Sequence, residues 1–111
     1  MVTCFLKYVI DPAKIAHFEH YGKLWIDLVH ELGGLHHGYL LPHEGPSNIA
    51  YATFSFPTLA AYETYRNAIP GNLKCQAALD YANEHQFIIS YERNFFKPVF
   101  EGMETSARLF Y

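Results

Sequence analysis

Residues 2–34 read VTCFLKYVIDPAKIAHFEHYGKLWIDLVHELGG, and this stretch decides the fold. Its opening, Val2–Ile10, is rich in β-branched and aromatic residues and contains few strand breakers, which predicts a β-strand. Both alternating faces of that strand are largely apolar, so both faces of its sheet need a cover. Asp11 and Pro12 then form a helix start, because Asp caps free amide groups and Pro is tolerated at the first helical position.

An amphipathic helix is predicted from Asp11 to Leu32, because apolar residues recur at alternating spacings of three and four. Gly33 and Gly34 end this helix, since glycine accepts the left-handed conformation at a C-terminal cap. The opposite side of the helix is polar and carries His20, Lys23, Asp27 and His30. The apolar stripe consists of Ile15, Phe18, Gly22, Trp25, Val29 and Leu32.

The rest of the chain repeats the alternation of strand and helix patterns. A run of turn-forming residues, 42–48, separates two strand patterns and predicts an antiparallel hairpin. A second helical region opens at Pro57-Thr58 and is interrupted at Pro70-Gly71. The predicted segments are a second strand Leu35–Leu41, a third strand Ile49–Phe56, a resumed helix Leu73–Glu84 and a fourth strand Phe87–Phe96. The order β-α-β-β-α-β is that of the split β-α-β arrangement.

This order predicts an α+β, ferredoxin-like domain with an antiparallel sheet and its helices on one face. The other face carries apolar side chains that would lie bare in water. A second copy packed sheet against sheet would cover it, which predicts a homodimer in the form of a dimeric α+β barrel. We expect the domain to span residues 1–99. Residues 100–111 end in an apolar Leu-Phe-Tyr and are expected to pack on the partner subunit.

Composition narrows the classes of partner. Only 17% of the residues are charged, and the net charge is −3. The chain has 8 Lys and Arg and no basic run, so its sequence does not predict binding to nucleic acid. No apolar run reaches the ~18 residues of a membrane span, and no signal-peptide pattern precedes the first strand. Cys4 and Cys75 lack CxxC spacing, so we interpret them as buried reduced thiols of a cytoplasmic protein, with a single disulfide as the alternative.

Three segments give the chain a resemblance to a known family. These are Tyr8-Val9-Ile10-Asp11-Pro12, Gly33-Gly34, and residues 90–98, which read SYERNFFKP. Together they resemble the NIPSNAP family, within the dimeric α+β barrel superfamily, over nearly the whole chain. The resemblance implies dimers built by packing sheets into a barrel, with a largely undefined activity. The wider superfamily includes cofactor-free oxygenases, haem-degrading enzymes and small-molecule binding proteins. Family members often carry Glu and Arg before the strand tyrosine, where this chain has Cys4 and Leu6.

Seven histidines stand out, but their spacing does not predict a metal site. No two of them are four residues apart on a helix, and HExxH is absent. Adjacent strand residues point to opposite faces, so one of His36 and His37 should face the helices and the other the dimer interface. We therefore expect no metal and no cofactor, and interpret most histidines as solvated or singly hydrogen-bonded.

We expect a small hydrophobic or aromatic ligand between the first helix and the sheet. Each candidate has a structural alternative, which is core packing for the aromatic residues and a backbone hydrogen bond for the histidine. For Arg93 the alternative is a salt bridge across the dimer interface, since an unpaired buried charge is costly. The predicted ligand-binding residues are Tyr8, Trp25, His37, Tyr51 and Arg93, and no catalytic residue is assigned.

Two functions follow from these patterns. The first is a homodimeric binding protein or enzyme for a small aromatic ligand, with cofactor-free oxygenation as the reaction that the resemblance implies. The second is a non-catalytic interaction module that recognises another protein through the loop His43–Asn48. An enclosed apolar cavity under the first helix, with at least one polar group in its wall, would favour the first function over the second.

Overall fold

The computed structural model describes residues 1–99 and contains four strands and three α-helices in that range. They are β1 (Val2–Ile10), α1 (Ile15–Glu31), β2 (Leu35–Leu40), β3 (Ile49–Phe56), α2 (Leu59–Ala68), α3 (Leu73–His85) and β4 (Ile88–Phe96). The strands form one sheet in the order β2-β3-β1-β4, and all neighbours are antiparallel. The predicted α+β, ferredoxin-like fold is confirmed. The expectation that residues 100–111 pack on a partner lies outside the described residues.

The helix ends follow the capping residues that the sequence offers. Asp11 Oδ1 accepts a hydrogen bond from the Ala13 amide at 2.9 Å, and a 3-10 turn over Pro12–Lys14 precedes α1. The second helical region divides into α2 and α3 at another 3-10 turn, Ile69–Gly71, which contains the predicted interruption. The Asn72 side chain then caps α3, because its Oδ1 accepts a hydrogen bond from the Cys75 amide at 3.0 Å.

The core lies between the helices and one face of the sheet. Alternate residues of β1 and β3 point into it, as the strand period of two requires. From α1 the core receives the central residues of the predicted stripe together with Tyr21 and Leu28, which widen it. The buried apolar residues of these two strands are Cys4, Leu6, Tyr8 and Ile10 of β1 and Ala50, Ala52, Phe54 and Phe56 of β3.

The outer face of the sheet is partly apolar and is not covered by any described helix. The Phe5 ring on β1 lies 5.6 Å from the Tyr51 ring and 6.0 Å from the Phe96 ring. Phe5 is 36% exposed and Phe96 55% exposed, although both side chains are large and apolar. The predicted bare face is therefore present, and no part of the chain within residues 1–99 shields it.

A β-bulge interrupts β2 and changes which of its side chains face the helices. His36 pairs with Phe54 and Gly38 with Thr53, so His37 is the extra residue. Gly38 has φ +110°, a conformation that only glycine adopts without strain. Because of this extra residue, His36 and Tyr39 both lie on the helix side, whereas His37 lies on the outer face with its Nε2 2.7 Å from Ser55 Oγ.

No helix among residues 1–99 is long and apolar enough to cross a membrane. Cys4 and Cys75 are both free and buried, as interpreted from the sequence.

Gly34, just after the end of α1, packs tightly against the core. A Cβ placed there would lie 2.6 Å from the Phe56 ring and 2.7 Å from Val29 Cγ1, and both neighbours are buried. Such overpacking costs roughly 1–3 kcal/mol. Gly34→Ala should therefore lower the free energy of unfolding in urea by that amount. Gly71→Ala is the matched control, because a Cβ at Gly71 meets nothing within 4 Å. Equal stabilities of the two variants would contradict the close packing at Gly34.

The buried His36 should make stability depend on pH. Burial, with smaller effects of His30 and His37, lowers the His36 pKa from 6.5 to about 4. Between these values the unfolded chain binds a proton that the folded chain does not, so stability is lost as the pH falls from 6.5 towards 4. The loss from this residue amounts to about 3 kcal/mol when complete. His36→Gln should flatten the dependence of unfolding free energy on pH, measured by denaturation across this range.

The control for that experiment is His43→Gln, because His43 lies in an exposed loop. The unfolding free energy of the His43→Gln variant should depend on pH as that of the unaltered chain does. An unchanged slope in His36→Gln would show that His36 is not the group responsible.

Candidate functional site

A cavity of about 250 Å³ lies between the helix-facing side of the sheet and the three helices. Every strand and every α-helix contributes to its wall. Arg66 and Tyr91 are its exposed members and mark where it reaches solvent. The wall is largely aromatic and includes Tyr8, Tyr21, Trp25, Tyr39, Phe54 and Tyr62. A wall of this composition suits a small, flat, apolar ligand.

The β2 side of the cavity is a stack of rings. The His36 ring lies nearly parallel to Tyr39 at 4.9 Å and to Phe54 at 5.6 Å. Tyr39 also fits closely under α1, because a Cβ at Gly22 would lie only 3.0 Å from its ring. Gly22, which the helix stripe includes as a small residue, thus lets the Tyr39 ring approach the helix.

Three N–H groups on cavity-lining residues are buried and have no hydrogen-bond partner within residues 1–99. They are the Trp25 indole Nε1, His36 Nε2 and Arg93 Nε. The Tyr21 hydroxyl lies near the Trp25 indole and the Cys4 thiol lies near the Arg93 guanidinium, but neither contact has the distance and angle of a hydrogen bond to these nitrogen atoms. Because buried donors are nearly always paired in folded proteins, three unpaired donors around one cavity indicate that an acceptor belongs there.

The protonation state of His36 follows from its backbone contact. The Gly38 amide donates to His36 Nδ1 at 2.9 Å, so that nitrogen is an acceptor and the proton of the neutral ring is on Nε2. Since the His36 pKa is lowered to about 4 by burial, the ring stays neutral near neutral pH. His36 therefore offers one N–H donor to the cavity region and no free basic nitrogen.

The phenol groups can donate as well as accept hydrogen bonds. Burial raises the pKa of four of them, which belong to Tyr8, Tyr21, Tyr39 and Tyr65. They stay protonated near neutral pH and carry no negative charge. The residues that line the cavity include no Asp or Glu. The wall is therefore rich in donors and holds no anionic group.

Arg93 supplies positive charge on the β4 side. It pairs with Leu6 of β1 and lies on the helix-facing side of the sheet, whereas Glu92 pairs with Lys7 and lies on the outer face. The guanidinium carbon is 5.5 Å from the centre of the Tyr91 ring. No carboxylate among residues 1–99 lies within 4 Å of it. Its charge is thus not neutralised by an ion pair in the described part of the chain.

The structure brings together three of the five residues predicted to bind a ligand. Tyr8, Trp25 and Arg93 all line the cavity. His37 and Tyr51 do not line it, because both lie on the outer face of the sheet, where Tyr51 contacts Phe5 and His37 contacts Ser55. Those two positions adjoin the bare face and not the cavity.

Other residues of the site lie outside the five predicted ligand-binding residues. His36, the alternative to His37, faces the cavity together with Tyr39, and the signal that could have decided between the two histidines is Gly38, which marks a bulge inside a strand pattern. Tyr62, Tyr65 and Arg66 come from α2, where helical spacing was visible but the direction of each side chain was not.

A second group of histidines packs between α1 and α3. His17 Nδ1 is 2.7 Å from the Tyr81 hydroxyl, and the His17 ring stacks on His85 at 4.2 Å. His17 is far from Tyr81 and His85 in the chain, so the local spacing of histidines does not predict this contact. No cluster of three or more His, Cys, Asp or Glu that could hold a metal ion occurs within residues 1–99.

Comparison with solved structures shows the same fold in several proteins. A NIPSNAP family protein of unknown function from Agrobacterium tumefaciens superposes with a TM-score of 0.75 at 18% identity, covering 88% of this chain and 87% of that one. An uncharacterised NIPSNAP domain protein from Burkholderia xenovorans gives 0.73 at 14% identity, covering 89% and 95%. A candidate antibiotic biosynthesis monooxygenase from Nitrosomonas europaea gives 0.69 at 8% identity, covering 90% and 100%.

Comparison of the sequence itself is more specific. No curated protein matches it. The family model of NIPSNAP matches residues 4–100, which is most of the chain. This chain therefore belongs to the NIPSNAP family.

Proposed function

We propose that this protein is a homodimer that binds a small hydrophobic or aromatic ligand in the cavity between α1 and the sheet. The observation that carries the proposal is the aromatic cavity with three unpaired N–H donors on its lining residues. Core packing alone would leave neither a cavity of about 250 Å³ nor these donors. The apolar wall and its polar groups favour ligand binding over a pure interaction module, although the cavity opens to solvent beside Arg66 and Tyr91.

The chemistry of the wall supports binding more strongly than turnover. Proton abstraction needs a base, but the tyrosines are protonated and His36 Nδ1 is occupied by the Gly38 amide. A cofactor-free oxygenase would have to use a substrate that ionises readily by itself. The name of the Nitrosomonas europaea structural neighbour makes oxygenation the first reaction to assay.

The proposed dimer rests on the outer face of the sheet. Phe5, Tyr51 and Phe96 form an aromatic patch there, and Leu40 of β2 is 69% exposed on the same face. Apolar area of this kind is a mark of an interaction surface. A second copy can cover it by an isologous contact, in which each sheet shields the other. The free thiols of Cys4 and Cys75 fit the cytoplasmic location expected from the sequence.

Filling part of the cavity should weaken the binding of a neutral aromatic probe. We choose 2-naphthamide and detect it by the indole N–H signal of Trp25 in NMR, which is unique because the chain has one Trp. Leu79→Phe adds bulk to the wall and should weaken binding about tenfold or more, which is about 1.4 kcal/mol. Leu73→Phe is the matched control on the same helix, because Leu73 is 87% exposed. Equal affinities of the two variants, or a Trp25 signal that saturating probe does not move, would refute the proposed site.

Placing a charge in the aromatic patch should dissociate the dimer. Light scattering of the unaltered protein should give about twice the chain mass of 12.8 kDa. Phe5→Glu should give the mass of one chain, because the carboxylate would be buried without a partner. Leu73→Glu, on an exposed helix position away from the sheet, should remain dimeric. A single-chain mass for the unaltered protein at micromolar concentration would rule out the homodimer.

A further inference from the structure

We infer that the cavity takes its ligand as an anion, namely an aromatic compound whose ionised oxygen pairs with the Arg93 guanidinium and accepts hydrogen bonds from the unpaired N–H groups of the lining residues. This inference rests on the proposed function and adds to it the charge state of the ligand. It excludes cations and neutral hydrocarbons as the preferred occupants.

The first support is the charge balance of the cavity. Arg93 and Arg66 are its charged lining residues, and both are cations. The wall has no carboxylate, and the Arg93 guanidinium has no carboxylate within 4 Å among residues 1–99. A cation held in a partly buried site without a counter-ion is costly, and an anionic ligand would remove that cost.

The second support is the direction of the hydrogen bonds that the wall can make. His36 and Trp25 are 97% and 93% buried, since their exposed fractions are 3% and 7%, and each carries an N–H without a partner. His36 cannot accept through Nδ1, which the Gly38 amide already uses. A ligand that offers only donors would leave all these groups unsatisfied, whereas an oxyanion is an acceptor for each of them.

The third support is the effect of Arg93 on groups that are already present. Its charge favours the ionised forms of the Cys4 thiol and of the Tyr8 and Tyr21 phenols, so it lowers the pKa of each, although burial outweighs this effect. A phenol or carboxylic acid brought into the cavity by a ligand would experience the same positive potential. The Arg93 charge therefore reaches two phenols of the cavity wall.

A pair of probes of equal shape separates charge from fit. We would measure the affinities of 2-naphthoate and 2-naphthamide by calorimetry at neutral pH, where only the first is charged. Naphthoate should bind at least about tenfold more tightly. Arg93→Gln should weaken naphthoate binding far more than naphthamide binding, so that the preference for the anion is lost. Lys23→Gln removes the same charge from the exposed side of α1 and should retain the preference.

The outcomes distinguish this inference from the proposed function. If both probes bind equally, or if Arg93→Gln keeps the preference, the inference is overturned while aromatic binding stands. If neither probe binds or moves the Trp25 indole signal, the proposed function fails as well.

A second measurement does not depend on any variant folding correctly. The compound 4-nitrophenol is yellow only as its anion, so its absorbance reports its ionisation directly. Binding should shift its titration to lower pH, because the cavity stabilises the phenolate over the phenol. A shift to higher pH, or no shift at saturating protein, would overturn the inference.

Discussion

The packing of α1 against the sheet is the interaction on which the rest of the structure depends. The helix lies against β2, and its Phe18 ring contacts Tyr8 of β1. Glycine at two positions lets aromatic rings come close, at Gly22 for Tyr39 and, just after the helix, at Gly34 for Phe56. Where the helix carries the large Trp25 ring, the layers do not close completely and the cavity remains. Core and site are therefore built from the same contact, and the residues that stabilise the fold also determine the shape of the wall.

Much of the fold could be predicted from the sequence, because its signals are local. The period of Val2–Ile10 and the stripe of α1 each follow from neighbouring residues, and the limits of β1 and β3 agree with the structure. The division of the second helical region also follows a local signal, since Pro70 and Gly71 lie in the turn between α2 and α3. These features need no knowledge of distant contacts.

The site was less predictable, because it depends on which face of a strand each side chain points to and on contacts between residues that are distant in the chain. A simple alternation along β2 cannot place His36 and Tyr39 on one face, since they are three residues apart, and the bulge at His37 supplies the missing shift. Arg93 reaches the helix side because β4 pairs with β1 in a register that sequence alone does not define. The missing partners of Trp25 and His36 become visible only when the surroundings of each atom are known.

The bulge has a consequence for growth of the sheet beyond its own strands. β2 and β4 are the two edge strands of the sheet. An exposed edge strand can pair with the edge strand of another molecule, and repeated pairing leads to aggregation. β2 is only six residues long and is bent by the bulge, and β4 shows a register irregularity opposite Val9 and Ile10 and carries both charges of Glu92 and Arg93. Such edges are poor templates for fibres, which leaves face-to-face contact as the safer route to self-association.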